Sequence, residues 1–559
     1  MATARSGHAS QPNMPTQSRR HAAHITTMPE FVPPHPGSHD MPRWDAGVLP
    51  DAPKITLRSW ALLLGPGLVA AGAAIGGGEW LAGPLTTARY GGAILWLATV
   101  SILTQLFYNL EICRYTLYCG EPIFTGKFRL LPGPLFWLII YIFLDFGSVF
   151  PYLVSSAATP LAAVILGEIP NVHKTYDLFG MALTGEIIHR ALTYVVFVLV
   201  LVPLIFGGKV YNSLKALMTF KIAVVFSFLI LVAILYSKPA TWSEISSGFF
   251  KFGSVPVAAP EPGGIPGTDN LISAWWEGRK LPKIDFTMIA VLGALAAISG
   301  NGGLTNTALS GYARDQGWGM GKQVGAIPSV IGGQKFQLSH VGMTFDVNRE
   351  SLARFRRWYR FLVRDQLFVW VPACFVGIAL PSMLSLQFLP RGTEVDKWVA
   401  AGMTADGLRN AVGPHWGQYF WLMTLFCGFL VLAPAAVTTI DGALRRWVDL
   451  CWTAVPFVRQ WEPHRVRFLY FGAVCAYAVF GITALTFWNP QQLLEWAGNI
   501  YNAALGFSCF HVLAVNLILL PREIRPNWFI RCGLVVGGLF FTALTVIATM
   551  KLLGYVQVE

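Results

Sequence analysis

Charge is scarce in this chain. Asp, Glu, Lys and Arg make up 13% of its 559 residues, against 54% hydrophobic. A soluble globular protein carries about 25% charged residues, so the scarcity excludes an ordinary soluble domain and points to the membrane class. Paired cysteine motifs are missing too. Of the eight cysteines, Cys374, Cys427, Cys475 and Cys509 fall in apolar stretches, and Cys113, Cys119, Cys451 and Cys532 fall within or beside them. None forms a CxxC pair, which argues against a disulfide framework or a zinc site. The Gly-rich segment between Arg314 and Arg357 has neither a Walker nor a Rossmann fingerprint, so its glycines do not imply phosphate. It reads as an ordered gate-side loop or a lipid-facing basic surface. There is no Arg/Lys–aromatic array of the nucleic-acid modules, and no nucleophile–base constellation or soluble catalytic domain. Nucleic acid is not a partner on this reading, and the chain is not an enzyme.

What is present is apolar and periodic. Residues 1–57 are rich in Pro, Ser, His and Ala and hold five of the eleven histidines (His8, His21, His24, His35, His39). No apolar core follows Arg19-Arg20 closely, so this is not a signal peptide; it reads as a disordered cytoplasmic tail. A membrane helix needs about 20 mostly apolar residues. Eleven stretches qualify, near 59–88, 92–118, 134–166, 189–206, 211–236, 285–312, 358–385, 416–443, 467–488, 490–520 and 527–554. Lys and Arg concentrate in alternate loops (Lys127, Arg129; Lys209, Lys215; Arg314 to Arg357; Arg445 to Arg465; Arg522 to Arg531), which places those loops inside. The N-terminus is then cytoplasmic and the C-terminus exterior, in a multi-pass protein of the cell membrane. Its division is 1–57 tail, 58–236 first five-helix repeat, 237–284 exterior loop, 285–520 second repeat, and 521–559 eleventh helix and C-terminus.

Two spans are poor helices. The first reads "GAAIGGGEWLAG", with Gly76, Gly77 and Gly78 followed by Glu79. Each glycine costs about 1 kcal/mol against alanine in a helix, and an ionisable residue at that depth is functional by default. The sixth reads "AISGNGGLTNTALSGYARD", interrupted at Ser299, Gly300, Asn301, Gly302 and Gly303. Two interrupted helices five spans apart are the mark of an inverted-repeat carrier. On this reading the backbone freed at each break lines a cavity, and the competing reading, close helix packing at small residues, accounts less well for a triple glycine beside a glutamate. The substrate-binding set is Gly76, Gly77, Gly78, Glu79, Ser299, Gly300, Asn301 and Gly302, with Glu79 and Asn301 as metal ligands.

Further polar residues lie in the spans. Asp145 faces the cavity or a proton path, or else pairs with a buried arginine. Asn306, Thr438 and Thr439 are pathway candidates, and Asp441 is expected to pair with Arg445 at i,i+4. Glu495, Asn499 and Asn502 form one polar stripe on the tenth span, which must face protein or water. His511 reads as a hydrogen-bonded structural residue, and Glu111–Arg114 as a plain salt bridge.

At "GPGLVAAGAAIGGGEW", "LTNTALSGYARD" and "TTIDGALRRW" the chain resembles the Nramp divalent-metal transporter family and its Nramp-related branches, over roughly residues 60 to 520. The resemblance implies an all-α, LeuT-type 5+5 inverted-repeat fold with about eleven helices. It also implies cation transport by alternating access, with proton linkage. The departures lie in the site. The family's aspartate and asparagine fall on Gly76 and Glu79, and its methionine and histidine in the sixth span on Gly300 and Gly302. The soft sulfur ligand is gone, so the remaining oxygens suit a hard or hydrated ion such as magnesium. Two substrates stay open: a divalent cation, or a small organic solute such as an amino acid or organic acid coupled to a cation. No cofactor is implied beyond the transported cation and a coupling proton or sodium. The partners are the lipid bilayer and that small substrate.

Overall fold

The structure is a computed structural model that describes residues 31–53, 76–178, 180–206, 208–259, 264–324, 341–461 and 463–555. Residues 33–559 form one unit. In chain order its elements are β1 (Asp45–Ala46), α1 (Gly77–Tyr90), α2 (Trp96–Cys119), α3 (Ile123–Arg129), α4 (Pro134–Asp145), α5 (Tyr152–Leu166), β2 (Thr175–Leu178), β3 (Met181–Thr184), α6 (Gly185–Phe206) and α7 (Gly208–Tyr236). There follow α8 (Pro239–Gly248), β4 (Ser254–Val257), β5 (Gly267–Asn270), α9 (Leu271–Trp276), α10 (Ile289–Ile298), α11 (Ala308–Asp315), β6 (Met343–Thr344), α12 (Arg349–Asp365) and α13 (Val371–Phe388). The last are α14 (Ala405–Val412), α15 (Gly417–Ala454), α16 (Pro463–Phe487), α17 (Pro490–Leu519) and α18 (Trp528–Leu552).

Among the described residues nine helical spans are long and apolar enough to cross a membrane. They match spans two to four and six to eleven of the sequence reading. The fifth contributes the apolar stretch Phe220–Tyr236. Of the first, α1 is described, and residues 59–75 lie outside the described residues. Burial separates centre from rim: 83% of the apolar window of Ile289–Asp315 is buried, against 33–39% for Gly185–Phe206, Arg465–Phe487 and Trp528–Leu552. The broken sixth span is therefore central, and the rim helices carry the outward apolar side chains that lipid requires. Polar caps set the long helices. Asn489, Asn527 and Asn348 accept from backbone N–H groups at the starts of α17, α18 and α12, satisfying donors that the first turn leaves unpaired.

The two ends of the bundle differ. The β2–β3 and β4–β5 hairpins, α8 and α9 gather at one, the hairpin end, where Arg391 Nη2 lies 2.8 Å from Glu244 Oε1 and Lys551 Nζ donates to Thr287 O at 2.6 Å. The other carries residues 33–53, the strap. Disorder is the sequence expectation for this segment, and for 33–53 that expectation is corrected. β1 pairs in parallel with β6. Trp44 and Leu49 are 3% and 1% exposed. Arg129 donates to Pro42 O at 2.8 Å, Arg354 to Leu49 O at 3.0 Å, Trp358 to Pro50 O at 2.8 Å and Arg357 to Asp51 at 2.6 Å. The order comes from groups over 80 residues away in sequence, which composition cannot register.

Candidate functional site

The sixth-span break is built from three pieces. α10 ends at Ile298, a 3-10 turn runs Gly303–Thr307, and α11 resumes at Ala308. Gly302 and Gly303 have φ of +73° and +53°, a region that disfavours a Cβ. A Cβ on Gly303 would also stand 2.3 Å from the Tyr501 ring. The freed backbone finds a partner on α2: Gln105 Oε1 accepts from Asn306 Nδ2 at 2.7 Å and from Asn301 N at 3.4 Å. Gln105 Nε2 in turn donates to Ser101 Oγ at 2.9 Å, and Ser101 donates to Ala296 O. Ser299 bonds back to Leu295 O, and Thr305 to Asn301 O. This break is thus closed by neutral amides and hydroxyls.

In the first span, Gly76 is extended and α1 starts at Gly77. Glu79 sits at the third helical position, where its Oε2 accepts from Gly76 N at 3.0 Å. A carboxylate there satisfies an orphan donor and meets the positive end of the helix dipole. Glu79 is 3% exposed. Lys221, on α7 and 1% exposed, is a basic residue buried in the same apolar interior.

The expectation that these glycines bare their backbone to a cavity does not hold for Gly77, Gly78, Gly300 and Gly303. A Cβ on Gly77 would lie 1.9 Å from Leu153, on Gly78 1.8 Å from Ile298, and on Gly300 2.5 Å from Gln105. The missing side chains let neighbouring helices in, which is the packing use of glycine. A small pocket does lie toward the hairpin end of Glu79, lined by Trp80, Pro84, Pro381, Leu384, Met403 and Thr404. Trp80 Nε1 donates to Ala401 O at 3.1 Å across it.

The remaining candidates scatter. Asp145 is fully buried in an ion pair with Arg446 (2.8 Å), and Trp447 and Ser148 donate to it at 2.9 Å; of its two readings, the structural pair is the one found. Asp441 pairs with Arg445 at 2.7 Å and Glu111 with Arg114 at 2.8 Å, as their spacing predicts. Thr438 is exposed and bonds back to Pro434 O at 3.2 Å, and Thr439 is half-buried. The stripe on α17 does not converge: Glu495 accepts from Gln491 at 2.8 Å, Asn499 donates to Thr549 at 3.3 Å, and Asn502 to Gly293 O at 2.9 Å. His511 Nδ1 is 2.6 Å from Tyr141 OH.

Three contributors escape the sequence reading. Lys221 is a lone charge inside an apolar run, and that signal is readable. Gln105 and Tyr501 carry no such mark, because their importance lies in what they touch. Lys127 and Arg129 read as loop residues yet are both fully buried. Arg129 pairs with Glu121 at 2.5 Å. Lys127 has Ser508 at 2.7 Å and the Tyr141 ring at 4.3 Å, and burial holds its amine well below the ordinary lysine range.

Among solved structures, the fold is similar to a manganese transporter from Eremococcus coleocola in complex with an aromatic bis-isothiourea substituted compound. The TM-score is 0.55 at 14% identity, covering 92% of this chain and 90% of that one. A mutant of the same transporter matches at TM-score 0.54 and 15% identity, covering 91% and 89%. No protein-family model and no curated protein matches the chain. The likeness bears out the helical fold that the Nramp resemblance implies.

Proposed function

We propose that the chain is an alternating-access carrier of a small zwitterionic solute of the amino-acid type, bound between Glu79 and Lys221. The observation that supports this reading is a buried acid and a buried base in the apolar interior, Glu79 on α1 and Lys221 on α7. A dication entering there meets one carboxylate and one ammonium, so its charge stays uncompensated in a site of low dielectric, which is costly. A zwitterion brings its own balance, its amine toward Glu79 and its carboxylate toward Lys221. No group of three His, Cys, Asp or Glu residues able to hold a metal occurs among the described residues, and residues 54–75 contain none of these four types. With Lys and Arg concentrated at the strap end, that end is the cytoplasmic one, and the hairpins face outward.

A second reading keeps a hard divalent cation as substrate. It is favoured by the buried Glu79 carboxylate on a fold shared with a manganese transporter. A thermal-shift screen of the purified protein separates the two. Amino acids and related zwitterions at millimolar concentration should raise the melting temperature, and magnesium and manganese should not. Stabilisation by a divalent cation alone would reverse the order of the readings.

A further inference from the structure

α12, the turn Gln366–Trp370 and α13 form one continuous helical span, Arg349–Phe388. Six arginines lie on its first 16 residues, and they divide by face. Arg354 and Arg357 turn to the strap, where they hold Leu49 O and Asp51. Arg356, Arg360 and Arg364 are exposed and recur every fourth residue, which places them on one stripe. Among the described residues no carboxylate pairs with any of the three.

The same stripe then changes character. Leu367 and Phe368 are 40% and 61% exposed, and Val376 further along is 42% exposed. One face of one helix therefore passes from bare guanidinium to bare hydrocarbon within a single turn. In a bilayer that change marks the boundary between headgroups and acyl chains. At 1.5 Å per residue, Arg364 lies about 6 Å and Arg360 about 12 Å from Phe368 along the axis. The headgroup layer is roughly 5–7 Å thick on each side, and arginine's long stem extends its reach. Guanidinium binds phosphate oxygens in a planar, bidentate way.

We propose that Arg356, Arg360 and Arg364 form a docking stripe for anionic phospholipid headgroups in the leaflet at the strap end. The stripe stands apart from the solute site and holds whichever substrate is carried. Because the opposite face of α12 holds the strap, a headgroup bound here fixes the helix on which the strap is anchored.

The test uses the full-length protein, delipidated in detergent and titrated by native mass spectrometry. The probes are phosphatidylglycerol and phosphatidylcholine of matched acyl chains. Each basic residue near a bilayer surface is worth roughly a fivefold change in binding. Wild type should prefer phosphatidylglycerol, and the combined Arg356→Gln, Arg360→Gln, Arg364→Gln variant should lose roughly a hundredfold in affinity for it. Arg349→Gln, on the same helix but about 22 Å below Arg364, should change nothing. Equal binding of the two lipids by wild type overturns the proposal, as does an unchanged triple variant or an equal loss in Arg349→Gln. Soluble glycerol phosphate competing as well as the lipid would assign the stripe to free phosphate and also overturn it. If the triple variant is not monodisperse, Arg360→Gln alone is read, where a loss of roughly fivefold is required.

Discussion

The start of α1 in the first span and the break in the sixth are built from opposite chemistry. The second is neutral: Gln105 serves both Asn301 and Asn306, and Tyr501 fills the space over Gly303. The first carries ionisable groups, with Glu79 capping its own helix and Lys221 buried on α7. A break needs only satisfied backbone groups to persist in a membrane, and the second break meets that need with neutral groups alone. The ionisable groups at the start of α1 are therefore more than that need requires, and on the proposed function they select the substrate. The capping bond alone does not call for an acid, because a neutral amide oxygen can also accept from Gly76 N.

That contrast is most exposed at Glu79. Glu79→Gln should leave the melting temperature nearly unchanged, since the capping bond survives, while solute uptake into proteoliposomes falls roughly 10- to 100-fold through loss of a charge-assisted hydrogen bond. A matched fall in both would make Glu79 a structural cap. Lys221→Met sharpens the same point from the other side. Uptake of the zwitterion should fall about tenfold, and manganese, without effect on wild type, should now stabilise the protein, because the site gains a net negative charge. Persistence of wild-type uptake in this variant would remove Lys221 from the site.

The packing that the breaks share can be tested independently of charge. Gly78→Ala puts a methyl into Ile298 and should destabilise by roughly 1–3 kcal/mol in chemical denaturation. Combining it with Ile298→Ala should recover part of that loss, and strict additivity would mean the two sites do not touch. The smallest effect belongs to the strap. Asp51 is 65% exposed in its pair with Arg357, so Asp51→Asn should shift stability by less than about 1 kcal/mol, and less again in high salt.

Much of this architecture is legible in sequence because the bilayer imposes length and hydropathy on each span. Gly-rich interruptions betray the sixth break. Pairings at helical spacing, Asp441–Arg445 and Glu111–Arg114, are equally legible because both partners lie on one helix. Contacts between helices are not. Nothing around Gln105 says that it serves residues nearly 200 positions away, and Gly77 and Gly78 read as bare backbone until Leu153 and Ile298 are seen filling the space. The strap is invisible for the same reason. Its Pro- and His-rich composition resembles a solvated tail, while side chains from α3 and α12 hold Trp44 and Leu49 and the β6 backbone pairs with β1 between them. Lys221 is different: a single charge within an apolar run is a signal present in the sequence itself.

The most direct measurement is uptake of manganese, magnesium and calcium by the wild-type protein in sealed liposomes, with and without a proton gradient, beside uptake of the zwitterion that stabilises it best. The account predicts saturable uptake of the zwitterion and none of the three cations. Saturable cation uptake that disappears in Glu79→Gln would contradict it and return the site to a divalent ion.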